Sequence, residues 1–350
     1  MTKNGKDYAI STLRLLALLL VIGCHYFEWL GSNLEGQPKI FRIIGNSSSV
    51  GVQVFLLISG FLYGRKDLFK ESTFRVNFVL KNFWKILKDY YIHYLLVTIP
   101  VCMLLESWHL TRDAIWGVIT AWRTMGREVQ LWFIPYILFC YLITPMLYDI
   151  RNWMIEKKQI YLFFVFISLV EILLLSYQSY FIPAWICCYI IGYFLPSFDK
   201  FNFKYFKMKY YWILAVPCLV LNIIKLYLKY FLELTLEGLK GVIYTEFINW
   251  TRVMLAVTIF SGGYYVIRKY VEIESKNKFL DLADKFSYDI YISHMIFVKG
   301  MLTTVFLTSN MMVNFFITMF AIVSSGIILY YICRPKEVFY YWRKRREPRH

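Results

Sequence analysis

The chain has 350 residues, of which 59% are hydrophobic and 20% aromatic, with a formal net charge of +16 at pH 7. That is more apolar surface than one soluble core of this length buries, so an ordinary soluble domain is excluded and the bilayer becomes the solvent for much of the chain. In a soluble domain the basic balance would raise a nucleic-acid partner, but its distribution argues against one.

The first apolar run, 10–30, follows Lys3 and Lys6. It is too long for a secretory signal and no small-residue cleavage site follows it, so a retained first span is expected. Further runs lie at 50–64, 86–105, 129–148, 160–177, 181–197, 210–228, 250–267, 287–307 and 312–333. The expected fold is an all-α polytopic membrane helical bundle of about ten transmembrane helices. It forms a single membrane domain over 1–350, with spans over 8–333 and a basic tail at 334–350. The longer connections, 31–49, 106–128 and 229–249, read as outer segments. Pro100, Pro135, Pro145, Pro183 and Pro217 fall inside apolar runs, where kinked or broken helices are expected.

With the N-terminus assigned to the cytoplasm, 28 of the 39 Lys and Arg fall on the inner loops and 9 on the outer ones. This is the positive-inside pattern for an even number of spans with N- and C-termini both cytoplasmic. The charge therefore encodes topology, and no nucleic acid is expected. The seven cysteines show no CxxC pair and no metal-ligand spacing, and they read as packing residues with no metal implied.

Ionisable residues inside spans are costly and usually face a bundle interior or a wet cavity. Arg14 and His25 are eleven residues apart in the first span, which returns them to one helix face about 16 Å apart along the axis. Glu171 and Lys299 are the other intramembrane charges. Trp132 and Tyr136 share a face at the outer end of their span, as interface anchors or as a sugar platform. Tyr291 and His294, at i and i+3, share a face of theirs.

Five segments then carry a resemblance. The stretch Tyr8-Ala9-Ile10-Ser11-Thr12-Leu13-Arg14, continuing to His25, resembles the opening of the acyltransferase 3 family of integral membrane O-acyltransferases, with its Arg-x10-His signature. Gly51 to Phe61, ending in Ser59-Gly60-Phe61, resembles the second-span motif, and Leu131 to Tyr136 the Trp-Phe motif. Phe181 to Pro196, with Gly192-Tyr193, is similar to the mid-chain Gly-Tyr span, and Phe286 to His294 to the late Tyr-x-x-His segment. Two departures stand out. Ser11 occupies a position where the family often has Asp, and Lys81 and Lys85 stand where it commonly has Arg-x-x-Arg, which keeps charge but loses the guanidinium fork.

The resemblance implies acyl transfer from cytosolic acyl-CoA, usually acetyl-CoA, to a hydroxyl of a carbohydrate or lipid-linked glycan. A capsular or exopolysaccharide unit at the cell membrane is the expected acceptor. On this reading Lys81, Lys85 and Lys88 hold the CoA phosphates, although plain topology explains these lysines as well. Tyr291 and His294 contact the CoA, and Trp132, Tyr136 and Glu171 line the acceptor side. Arg14 guides the pantetheine arm or pairs with a buried acid such as Glu171. His25 takes the acceptor proton or relays the acyl group covalently. Broken helices and midplane charges also describe a transporter or flippase, but the inverted repeat such carriers show is not visible.

Overall fold

A computed structural model describes residues 7–36, 38–66, 73–105, 119, 129–175, 182–198, 208–270, 277–300 and 302–337, and those residues contain helices and no strand. The outer segment 106–128, apart from Ile119, and the Arg343 to Arg346 cluster of the tail lie outside them.

The helices in chain order are α1 (Tyr8–Asn33), α2 (Lys39–Ser48), α3 (Gly51–Gly64), α4 (Thr73–His93), α5 (Ile99–Leu105) and α6 (Phe133–Glu156). They continue with α7 (Leu162–Leu175), α8 (Pro183–Phe194), α9 (Met208–Tyr230), α10 (Gly238–Tyr270), α11 (Lys278–Val298) and α12 (Met311–Cys333). Five stretches are long and apolar enough to cross a membrane: Tyr8–Asn33, Lys39–Gly64, Phe133–Glu156, Tyr211–Tyr230 and Met311–Cys333. They coincide with five of the ten expected spans. Leu162–Leu175 and Pro183–Phe198 are shorter apolar helices. Phe164, Leu169, Ile172 and Leu173 on α7, with Ile213 and Ile223 on α9, stand exposed, a face that only lipid or another apolar surface accommodates cheaply.

Two expectations change. The segment 31–49 is helical from Lys39, so the second span is preceded by a helix rather than a loop. The ninth span does not run to 307, because α11 ends at Val298. There Gly300 N donates to Met295 O (2.9 Å) and Thr303 Oγ1 to Val298 O (2.9 Å), closing the helix end. Asn310 then opens α12 by accepting from Met312 N (2.9 Å) and Val313 N (3.2 Å).

The chain divides into two compact units. The first comprises residues 1–79 and 136–281. Its core gathers Leu13 and Ala17 of α1, Val54, Leu57 and Phe61 of α3, Ala184 and Cys188 of α8, and Val253, Ala256 and Phe260 of α10. Two of the recognised motifs meet here: a side chain on Gly60 would run into the carbonyl of Tyr189, and one on Gly192 into the carbonyl of Leu57. The Ser-Gly-Phe and Gly-Tyr motifs are thus the two halves of one close helix–helix seam, in which small residues let the backbones touch. Buried polar groups on the same helices find partners. Gln53, with its amide oriented to satisfy both ends, accepts from Trp185 Nε1 (2.9 Å) and donates to the Ser49 (3.0 Å) and Val50 (3.1 Å) carbonyls.

The second unit comprises residues 80–135 and 282–350. Within it, Tyr288 of α11 donates its hydroxyl to Ile86 O of α4 (3.0 Å), and Ser325 of α12 to Ser293 Oγ of α11 (3.0 Å). Gly326 of α12 lies against the backbone of Ile290.

Candidate functional site

α1 runs unbroken from Tyr8 to Asn33 with no proline, so the eleven-residue spacing keeps Arg14 and His25 on one stripe as expected. Both are half-buried. At the N-terminal end, Asp7 receives Arg65 NH1 (2.9 Å) and the Tyr264 hydroxyl (2.9 Å), while Arg268 NH1 donates to that same hydroxyl oxygen (2.9 Å). These bonds tie α1, α3 and α10 together at one end. Arg14 lies where its charge acts on the hydroxyls of Tyr63 and Tyr141, whose rings meet edge-on at 5.5 Å.

At the other end of the stripe, Cys24, His25 and Glu28 each offer an atom within 4.8 Å of the others. Glu28 stands one turn beyond His25, near enough for its charge to stabilise the imidazolium that a proton transfer creates. The sequence reading missed Glu28, although its i,i+3 spacing from His25 was available. It also missed what surrounds the pair. Arg252 of α10 and Lys229 of α9 act on Cys24 from across the bundle, and Arg252 also feels Glu28. Arg42 of α2 lies over the Tyr230 ring at 5.6 Å, and its carbonyl accepts from the Tyr230 hydroxyl (3.1 Å). So many cations oppose a divalent metal at Cys24, His25 and Glu28.

Glu171 does not serve Arg14. Its carboxylate accepts from Trp250 Nε1 (3.0 Å) and Cys187 Sγ (3.3 Å), with the Glu246 carboxyl beside it. Tyr136 is buried and its hydroxyl accepts the backbone N–H of Ile182 (2.7 Å) at the start of α8, with its ring 5.3 Å from that of Trp185. It therefore holds a helix end in place instead of offering an open face to a sugar.

In the second unit Lys81 and Lys85 are exposed on α4 and Lys88 lies 3.5 Å from Asp89. Tyr291 and His294 are both buried; His294 Nδ1 is 2.6 Å from Tyr291 O, and the Tyr291 ring meets Phe133 at 5.5 Å. Trp132 sits in a short 3-10 turn before α6, half-buried, its ring 6.3 Å from Phe133. Sequence reading also passed over a buried acidic pair here. Arg334 NH2 is 2.5 Å from Asp89 and its NH1 3.5 Å from Asp289, both carboxylates being shut off from solvent.

The family model described as an acyltransferase domain matches residues 7–332, nearly the whole chain. No curated protein and no solved structure matches.

Proposed function

The chain belongs to this acyltransferase family, and from that premise we propose that it moves an acyl group, acetyl in the first instance, from cytosolic acetyl-CoA to a hydroxyl of a carbohydrate or lipid-linked glycan. It is a membrane acyltransferase; the donor, the acceptor and the plasma-membrane setting with both termini cytoplasmic are the proposed part. The reading is supported above all by a straight α1 that carries Arg14 and His25 on one stripe, with Glu28 within 4.8 Å of His25.

In the proposed reaction a ring nitrogen of His25 takes the proton of the acceptor hydroxyl as its oxygen attacks the thioester carbonyl. The new C–O bond forms, the C–S bond breaks, and the departing CoA thiolate recovers a proton from the imidazolium. Glu28 offsets the transient charge of the ring. Arg14 steadies the polar pantetheine arm three turns away. A capsular or exopolysaccharide unit is the acceptor favoured by the resemblance.

The test uses purified protein and radiolabelled acetyl-CoA, comparing wild type with His25→Ala for turnover and for transfer of label. Loss of transfer with donor binding kept is the expected result. Equal turnover by the variant would remove His25 from the reaction, and absence of donor binding by wild type would remove acetyl-CoA.

A further inference from the structure

At the His25 end of the first unit three basic side chains, Lys225, Lys229 and Arg252, come together with Glu28 as the carboxylate acting on the last two. Lys225 of α9 is 1% exposed, and its Nζ donates to Asn222 Oδ1 at 3.0 Å, a neutral partner. Arg252 and Lys229 both act on it, as like charges. Arg252 has a buried Nε with no hydrogen-bond partner among the described residues, and no carboxylate lies within ion-pair distance of it there. Glu28 is the carboxylate whose field reaches both Arg252 and Lys229. Glu233 is taken by Lys39 at 3.1 Å.

Burying unpaired cations together is costly unless an anion enters among them or one of them loses its proton. A guanidinium with a donor unused, next to an ammonium held only by an amide, presents the donor set that phosphate and carboxylate groups take. We propose that Lys225, Lys229 and Arg252 form an anion-binding site beside His25, and that the acceptor carries the matching group, a phosphate or a uronate carboxylate. This rests on the acyl-transfer reading for the identity of the occupant, though not for the existence of the site. It makes the acceptor an anionic glycan, anchored by its charge so that a nearby hydroxyl meets the imidazole.

The experiment follows thermal unfolding of the purified full chain in detergent while sodium pyrophosphate, sodium glucuronate or sodium chloride is titrated at matched ionic strength. The expected result is a saturable rise of the midpoint with pyrophosphate or glucuronate and none with chloride. Whichever anion acts identifies the group. Arg252→Gln and Lys225→Met should each raise the half-saturating concentration at least tenfold. Arg252→Lys, which keeps the charge, should raise it only a few fold and covers the case in which the others fail to fold. Without added anion, Arg252→Gln should unfold no earlier than wild type, since it removes a repulsive buried charge; a large drop would mean that Arg252 is a structural ion-pair member and would overturn the proposal.

No saturable response by wild type, or an unchanged response in the variants, would overturn it as well. So would a response to phosphatidylglycerol alone, which would assign the cluster to the bilayer surface. Labelled acetyl-CoA binding by the same wild-type preparation is read separately. If that fails while the anion response persists, the donor reading falls and the anion site stands.

Discussion

Replacing Glu28 by Gln keeps the shape of the side chain and removes its charge, which isolates what the carboxylate contributes to His25. Its oxygen lies within 4.8 Å of the His25 ring nitrogen. At that separation, with an effective dielectric of about 20, a carboxylate stabilises an imidazolium by about 3.5 kcal/mol; doubling the dielectric halves this. Each 1.4 kcal/mol is a factor of ten in rate, so kcat should fall roughly 20- to 300-fold. KM for acetyl-CoA should stay within about twofold, because the charge develops only as the proton moves. Glu28→Asp should recover part of the loss. The assay is steady-state transfer of label from acetyl-CoA to acceptor, or thioester hydrolysis if water substitutes for it. If Glu28→Gln stayed within about threefold of wild type while His25→Ala was inactive, the carboxylate would have no part in the proton transfer.

Other consequences are open to direct measurement. Gly192→Leu should lower stability by at least the ~1–3 kcal/mol typical of overpacking, read as an earlier unfolding midpoint, because its side chain meets the Leu57 backbone and the two helices have to separate. Gly36→Ala, at a turn with open space around it, should cost no more than ~1 kcal/mol despite its positive φ of 74°. In the second unit Arg334→Gln should destabilise by ~3–5 kcal/mol by leaving two buried carboxylates without their guanidinium. Asp289→Asn, which relieves that crowding, should be nearly neutral in chemical denaturation. Beyond the last span, the hydrogen bond from Lys285 (2.9 Å) holds the Glu337 carboxyl below its ordinary value of 4.5. A depressed acid pKa adds stability that is present above 4.5 and is lost as pH falls through the folded value. Glu337→Gln should therefore flatten the acid limb of the midpoint-against-pH curve by less than ~1 kcal/mol, the exposed pair being screened.

The α1 stripe was readable from sequence because it depends only on helix periodicity in a segment with no breaker, and Glu28, one turn beyond His25, was equally readable but passed over as a span-end charge. The Gly60 and Gly192 seam was half readable. Both glycines lie in the motifs that carried the resemblance, but nothing local says that the two motifs meet, since Gly60 packs on Tyr189 and Gly192 on Leu57, far apart in sequence. Tyr136 and Glu171 fared differently: an aromatic or an acid near a span end is ambiguous until its partner is known, and the partners, Ile182 N and Trp250 Nε1, come from other helices. Asp89 and Asp289 escaped notice because each sits near the basic end of its helix, where a carboxylate looks solvated, while the Arg334 that binds both arrives from beyond α12.

The cations around His25 reverse the usual use of the positive-inside rule. In the expected topology nine Lys and Arg fall on the minority side, and six of those lie on three helices of the first unit: Lys39 and Arg42 on α2, Lys225 and Lys229 on α9, and Lys240 and Arg252 on α10. On the expected majority side of the first unit Arg65 is paired with Asp7 and Arg75 with Asp149, by two bonds of 2.6 and 2.8 Å. Arg151 spends its NH1 on the Gly64 carbonyl and lies over the Tyr148 and Tyr193 rings. On the minority side, Lys225 and Arg252 are buried or partly buried without a carboxylate. In that expected topology Lys39 finds Glu233, whereas Lys225 and Arg252 have no carboxylate partner among the described residues. A buried cation on the expected minority side is not accounted for by the positive-inside rule, so the anion proposal for Lys225, Lys229 and Arg252 draws on this group rather than on the larger basic clusters.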